Sequence, residues 1–319
     1  MLLSEFAANT TVKNELSETM KNNSLPHAIL LTGAKGTGKK TLADMIAQYC
    51  VCSSDTARPC GICPDCLKAQ KQIHPDIVTA DGNNTGALSI DSVRKIRASA
   101  YIKPNEAAAK VYLLLNCEKM LPPAQNAFLK ILEEPPENVV FIMTAVSASS
   151  LLQTVRSRSR IFSLYPAAVS EAVNEVQKRL PEKSADEIKN AAERCGGNIG
   201  MILQTLENGG EEAMKLAEEI FSAILLSVEY PLLTLTYRLT QSRNFAVNVA
   251  DCLIEVSAEA VKASAGVKTS CAAAENAAKK ISKKRLIKIQ NKAQKAREIL
   301  NSNVNMNFFC TWLCAALRS

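Results

Sequence analysis

The chain has 319 residues, of which 47% are hydrophobic and 5% aromatic, and its formal net charge is +7 at pH 7. This length allows two or three domains with cores of their own, and the mild positive charge is compatible with nucleic acid nearby without proving it. The sequence lacks an apolar run of the roughly 20 residues that would span a membrane. Its first residues, MLLSEFAANT, lack the basic segment of a secretory signal. We therefore expect a cytoplasmic protein with no membrane contact.

Apolar runs alternate with helical patterns over residues 1–165, which is typical of an α/β domain with a mostly parallel sheet. These runs predict buried strands at 28–32, 76–80, 111–116 and 139–145. Helices are predicted to begin near Lys39, Ser89 and Pro122.

Strand signals stop after Ile161 and Phe162, and the rest of the chain is predicted to be helical. Residues 168–206 form a small helical pattern that is interrupted by CGGN at 195–198, and an alanine-rich helical region follows. We therefore predict three parts, namely 1–166, 167–207 and 208–319.

The sequence GAKGTGKKT follows the first predicted strand and leads into a predicted helix. Gly33, Gly36 and Gly38 allow a tight backbone path. The N–H groups of such a helix start bind phosphate, and Lys39 is placed to reach the β and γ phosphates. The sequence favours a nucleotide-shaped loop over an ordinary glycine-rich turn, and it leaves open whether ATP or ADP binds there.

Two parts of the expected hydrolytic machinery are missing. Lys40 stands where a hydroxyl should hold Mg²⁺, whose ligands are oxygens, and Thr41 is rotated about 100° along the helix. The strand that should end in two carboxylates ends instead in Asn116 and Cys117. Glu118 comes one residue later, which on a strand would direct it to the opposite face. This loop is therefore predicted to have lost catalysis.

Eleven cysteines occur in the chain, and five of them fall within residues 50–66. Cys60, Cys63 and Cys66 are spaced C-x2-C-x2-C, and in an intracellular protein four such thiolates suit tetrahedral Zn²⁺. The fourth ligand is either Cys52 or Cys50. We predict Cys52, because Cys50 is expected to belong to the preceding helix. We predict a closed, structural zinc site; an iron–sulfur cluster and unliganded thiols are the alternatives.

A basic segment lies at 278–297, with nine basic residues and no acidic one. Lys280, Lys284, Lys288 and Lys292 recur every four residues and so lie along one helix face. A solvated helix face, contact with phosphate and contact with an acidic subunit surface all fit this pattern.

Several motifs follow one another in a fixed order along residues 1–205. They are HAILLTG, GTGK, the four-cysteine insert, HPD (74–76), KVYLLLN, QNAFLKILEEPP (125–136), VVFIMTA and SRSR (157–160). With this order and spacing, the chain resembles the clamp-loader subunits of bacterial DNA polymerase III. The resemblance implies an AAA+ P-loop domain with a RecA-like parallel sheet and a zinc insert, followed by a small helical lid and an all-α collar domain used for oligomerisation.

The motor subunits of that family hydrolyse ATP, and this sequence departs from them at Lys40, Asn116 and Cys117. The lid of a motor subunit would also carry a phosphate-sensing arginine close to Gly200, where this chain has none. These losses imply the non-hydrolysing stator of the family. Arg158 matches the arginine of the Ser-Arg-x motif that reaches a neighbouring subunit's ATP site; a basic surface turn is the alternative interpretation.

The resemblance implies a place in the hetero-oligomeric DNA polymerase III holoenzyme during DNA replication. The implied partners are the gamma/tau motor subunits and the delta subunit, with the sliding clamp and primed DNA contacted in the assembled complex. No catalysis is expected of the isolated chain. The alternatives are an ATP-hydrolysing motor subunit and a zinc-dependent DNA-binding protein with a vestigial loop.

Overall fold

The computed structural model describes residues 3–54, 58–207, 210–226, 228–267, 269, 271–300, 302 and 304–318. They fall into two compact units, residues 1–202 and 203–319. The division into three parts at 166/167 and 207/208 therefore stays a prediction. None of the helices in the described part of the chain is long and apolar enough to cross a membrane.

The first unit is built on a sheet of five parallel strands, so the predicted α/β domain with a parallel sheet is confirmed. The strands are β1 (Ala28–Thr32), β2 (Ile77–Asp81), β3 (Lys110–Leu115), β4 (Val139–Ala145) and β5 (Arg160–Ser163). Their order across the sheet is β2-β3-β4-β1-β5. Strands β1 and β3 are buried along their whole length, as continuous apolar runs predict for a sheet covered on both faces.

Helices cover the sheet on two sides, because alternate residues of each strand enter two separate cores. The helices of this region are α1 (Thr10–Lys21), α2 (Lys39–Val51), α3 (Pro64–Gln70), α4 (Ile90–Ala100), α5 (Pro122–Glu133) and α6 (Gln153–Arg156). One core joins α4 and α5 to residues such as Tyr112 and Phe141, while the other joins α1 and α2 to Ile29 and Leu31. The loop after β1 therefore begins between β4 and β5, one strand in from the edge of the sheet.

Three further helices follow the sheet, namely α7 (Val169–Arg179), α8 (Ala185–Arg194) and α9 (Ile199–Glu207). Ser184 and Glu187 form a capping box at the start of α8, which satisfies backbone N–H groups that the helix leaves unpaired. The glycines between α8 and α9 interrupt the helical run, as the sequence predicts.

The second unit contains helices joined by short turns, with no strand among its described residues. Its helices are α10 (Gly210–Ala223), α11 (Tyr230–Tyr237), α12 (Arg243–Ala263), α13 (Ala272–Lys280), α14 (Lys283–Ile299) and α15 (Met306–Arg318). They share one apolar core, in which the small residues of α12 and α14 allow the two helices to pack closely.

Candidate functional site

The glycine-rich loop lies between β1 and α2, and α2 begins at Lys39 as the sequence predicts. The Lys39 ammonium donates hydrogen bonds to the carbonyl oxygens of Gly33 (2.6 Å) and Ala34 (2.8 Å). Burial lowers the pKa of Lys39, and the nearby Glu118 carboxylate partly opposes that shift. The side chain expected to contact phosphate is thus held by its own loop.

A cavity of about 460 Å³ opens beside this loop. Among the residues that line it are Lys35, Gly36, Gly38, Lys39, Lys40, Thr41, Asp81, Asn116, Glu118, Thr144 and Gly200. Three lysines and two carboxylates therefore face one space, which can hold an anion beside a cation. Arg158 is not among the described residues that line it.

Glu118 lies on the cavity side, so the expectation that it points to the opposite face is wrong. Strand β3 ends at Leu115, Asn116 adopts a left-handed conformation (φ 56°, ψ 49°), and Cys117–Lys119 form a single 3₁₀ turn. The alternation of side chains holds only within a strand, and this turn redirects Glu118. Its Oε2 atom is buried and has no hydrogen-bond partner among the residues the structure describes.

The side chains of the two residues at the expected carboxylate positions both form hydrogen bonds within this chain. The amide of Asn116 donates to Oδ1 of Asp81 (2.7 Å), and the thiol of Cys117 donates to the carbonyl oxygen of Leu114 (3.1 Å). Burial raises the pKa of Cys117 to about 12, so this thiol stays protonated. Neither side chain is available as an anionic ligand for a metal.

The start of α9 packs directly on the glycine-rich loop. The backbone N–H of Gly200 donates to the carbonyl oxygen of Gly36 (3.0 Å), and the amide of Asn198 donates to that of Lys35 (2.8 Å). A Cβ atom on Gly200 would lie 2.6 Å from Cα of Gly36, closer than real contacts allow. Gly200, close to which the resemblance places the sensing arginine of a motor subunit, thus forms a backbone-to-backbone contact that leaves no room for a side chain.

We expect Gly200→Ala to loosen this contact, because the added methyl group must push α9 away from Gly36. Such overpacking costs about 1–3 kcal/mol. Hydrogen exchange should show faster exchange of the amides of residues 33–38 and 198–201. Denaturant unfolding should show that the free energy of unfolding falls by the same amount. Met201→Ala, which shortens the exposed neighbouring side chain, is the control and should change neither. Equal exchange in the glycine variant and the wild type would contradict the assigned contact.

Four cysteine sulfurs converge at the end of α2 and the start of α3. The Sγ atoms of Cys52, Cys60, Cys63 and Cys66 all lie within 4.8 Å of one another, whereas Cys50 lies outside this group. The Cys52–Cys63 and Cys60–Cys66 sulfur separations are 3.9 and 4.0 Å. A tetrahedral zinc with Zn–S bonds of about 2.3 Å would place its sulfurs about 3.8 Å apart.

Backbone N–H groups point at these sulfurs, from Cys60 to Cys52, from Cys63 to Cys60 and from Cys66 to Cys63, at 3.3–3.4 Å. Burial raises the pKa of the Cys63 thiol, but the hydrogen bonds from Cys66 and Ser53 outweigh it and lower that pKa to about 6. The four side chains fit a structural zinc, which would tie the segment after α2 to the start of α3.

A second group of possible ligands, Asp65, His74 and Glu106, lies close by. Nδ1 of His74 accepts a hydrogen bond from the backbone N–H of Asp76 (3.1 Å), so a neutral ring carries its proton on Nε2. That nitrogen faces Oδ1 of Asp65 at 3.5 Å and has no lone pair for a metal. Glu106 is paired with Lys68. These three residues therefore form polar contacts beside the cysteine cluster and are not available together as metal ligands.

Arg158 lies on the turn between α6 and β5, with 36% of its side chain exposed. Its guanidinium contacts Oε1 of Glu133 at 2.8 Å and donates to the carbonyl oxygen of Thr154 (3.1 Å) and to Oγ of Ser157 (3.3 Å). Glu133 belongs to the ILEEPP motif, so two motifs that are far apart in sequence meet here. This pair was not predictable from the sequence.

The family model described as "DNA polymerase III, delta subunit" matches residues 8–168, about half of the chain. The DNA polymerase III subunit delta' of Haemophilus influenzae is 30% identical over 207 residues, which are 64% of this chain and 62% of that protein. A DNA polymerase III subunit gamma of Buchnera aphidicola is 29% identical over 198 residues, covering 60% and 54% of the two chains. The chain thus spans less than two thirds of each relative.

Solved structures with a similar course of the chain include a DNA polymerase III gamma subunit-related protein of Thermotoga maritima. Its TM-score is 0.46 at 17% identity, covering 95% of this chain and 98% of that one. The RuvB Holliday junction branch migration motor of the same organism has a TM-score of 0.45 at 15% identity, and the match covers 84% of this chain and 85% of that one. Both scores lie below 0.5, so they carry no weight for function.

Proposed function

Because this chain belongs to the DNA polymerase III delta-subunit family of clamp-loader proteins, we propose that it is a delta'-like stator that hydrolyses no ATP. In this role it would assemble with gamma/tau motor subunits and a delta subunit. It would present Arg158 to the ATP site of a neighbour while the sliding clamp is loaded onto primed DNA. The zinc held by Cys52, Cys60, Cys63 and Cys66 would be structural.

The observation that carries this proposal is the state of the chain's own loop. Lys40 stands where the metal-binding hydroxyl is expected, Asn116 and Cys117 are bonded internally, and no arginine is present at Gly200, close to the expected place of the sensing arginine. Three separate elements have each lost a catalytic group, whereas Arg158 is present and partly exposed. An arginine of this kind stabilises charge that develops on a transferred phosphoryl group.

An ATP-hydrolysing motor subunit is the competing function, and one observation favours it. Glu118 reaches the cavity and has a buried oxygen without a partner in the described structure. A carboxylate of this kind could hold a metal or orient water in place of the missing pair. A zinc-dependent DNA-binding protein is a third candidate, for which tight DNA binding without assembly onto loader subunits would be diagnostic.

Purified chain, alone and mixed with motor and delta subunits of the same organism, tests the proposal. Native mass spectrometry should detect a hetero-oligomer that contains this chain, and the isolated chain should hydrolyse no more ATP than its Glu118→Gln variant. Hydrolysis by the isolated chain that is lost in Glu118→Gln would assign the motor function. Failure to assemble with any loader subunit would reject both clamp-loader functions.

A further inference from the structure

The positive charge of this chain is concentrated in two consecutive helices, α13 and α14. Residues 278–297 contribute nine basic side chains and no acidic one. Since the net charge of the whole chain is only +7, the remaining residues together are slightly negative. This segment is therefore where a polyanion would be attracted most strongly.

The prediction that Lys280, Lys284, Lys288 and Lys292 share one helix face is wrong, because α13 ends at Lys280 and a new helix, α14, begins at Lys283. The packing of α14 fixes which of its own lysines face outward. Leu286, Ile289, Ala293 and Ala296 are buried in the core of the second unit. At 3.6 residues per turn, the opposite face carries Lys284, Lys288 and Lys295, all of which are exposed. With a rise of about 1.5 Å per residue, they form a row about 16 Å long, and we call it the lysine row.

The lysines of the row form no ion pair within the described part of the second unit, and the acidic residue nearest to them along α14 is the exposed Glu298, three residues after Lys295. No ion pair is found there for Lys284, Lys288 or Lys295, and the exposed Lys279, Lys280 and Lys283 lie at the adjoining α13–α14 turn. Arg297, by contrast, pairs with Asp251 at 2.8 Å. The lysines are therefore free to bind an anionic partner.

The chemistry of this face favours a nucleic-acid backbone over a protein. Lysine is depleted in protein–protein interfaces, where aromatic, methionine and arginine side chains are enriched, whereas lysine is a common phosphate ligand. Asn291 and Gln294, exposed on the same side of α14, can donate to phosphate oxygens. Residues 271–300 contain no aromatic side chain on which unpaired bases could stack, so a duplex fits better than a single strand.

We infer that the lysine row binds the phosphate backbone of duplex nucleic acid without sequence preference. The row is long enough to lie along several phosphates, because each strand of a duplex carries one phosphate per about 3.4 Å of helix axis. This inference stands apart from the stator function, since it would hold equally for a motor subunit.

Binding of a labelled DNA duplex to the full chain, followed by fluorescence anisotropy at several salt concentrations, tests the inference. The comparison is wild type against a triple variant, Lys284→Ala, Lys288→Ala and Lys295→Ala. We expect a dissociation constant of about 10⁻⁴–10⁻⁶ M for the wild type, weakened about tenfold or more in the variant. The slope of log affinity against log salt should become shallower by about 3, since each lost phosphate contact removes about 0.9.

The control removes the same charge elsewhere, through Lys71→Ala, Lys178→Ala and Lys189→Ala, which are exposed positions outside the second unit. This control should keep the wild-type slope, and circular dichroism should show that both triple variants are folded. If both triple variants lost the same affinity for the duplex, the effect would come from net charge alone, and the inference would be overturned. If the wild-type chain bound polyglutamate but not the duplex, the lysine row would be assigned to an acidic protein partner. That result would overturn the inference as well.

Discussion

Replacing Arg158 by alanine should lower ATP turnover at the neighbouring subunit's site by about 10³-fold or more, the range found for arginines that act in trans. The guanidinium is the one group of this chain proposed to stabilise charge on the transferred phosphate. The measurement is steady-state ATP hydrolysis by an assembled complex. In this complex only the motor subunit next to Arg158 keeps a working phosphate-binding loop, and the loops of the remaining motor subunits are inactivated by mutation. Turnover then reports the site that Arg158 reaches.

The same variant should fold normally. Arg158 and Glu133 are both more than a third exposed, and exposed ion pairs contribute only about 0–1 kcal/mol to stability. Glu133→Gln removes the pair while keeping the arginine and so separates the loss of the pair from the loss of the cation. Arg160→Ala, which removes a positive charge two positions away, should leave turnover nearly unchanged. If Arg160→Ala lowered turnover as much as Arg158→Ala, the specific role of Arg158 would be refuted.

Replacing Cys66 by serine should reduce bound zinc from about one ion per chain to almost none and destabilise the first unit. Cys66 is fully buried in the cluster, and a structural zinc contributes binding free energy directly to folding, about 10–16 kcal/mol in small zinc peptides. Elemental analysis by mass spectrometry measures the metal, and thermal unfolding with and without a chelator measures the stability it provides.

Cys50→Ser is the matched control, since Cys50 lies in the same segment but outside the group of four sulfurs. This variant should keep its zinc. Loss of zinc from Cys50→Ser and retention in Cys52→Ser would show that the ligand set is wrong. Iron in place of zinc, with the visible absorption of an iron–sulfur cluster, would identify the alternative that the sequence left open.

The sheet was predictable because its strands are short, continuous apolar runs. The strands expected at 28–32 and 139–145 coincide with β1 and β4, and those at 76–80 and 111–116 are shifted by one residue. Strand β5 carried a weaker signal, because three of its four residues are exposed, so its two apolar residues did not form a buried run.

The position of Glu118 was not predictable from the alternation of side chains. The left-handed Asn116 ends the strand and starts a tight turn; asparagine favours this conformation more than most residues do, but that preference alone does not place a turn here. The contacts between Gly36 and Gly200 and between Arg158 and Glu133 were equally hidden, since each joins residues that only the tertiary fold brings together. The convergence of the four cysteine sulfurs was predictable because the short spacing of these residues limits how far apart the sulfurs can lie.

We propose that this chain lends an arginine to a neighbour and does not hydrolyse ATP in its own loop. The most direct test compares two single variants of this chain, Lys39→Ala and Arg158→Ala, in otherwise wild-type assembled complexes. We predict that Lys39→Ala leaves ATP turnover at the wild-type level and that Arg158→Ala lowers it. A fall in turnover with Lys39→Ala and none with Arg158→Ala would contradict the claim.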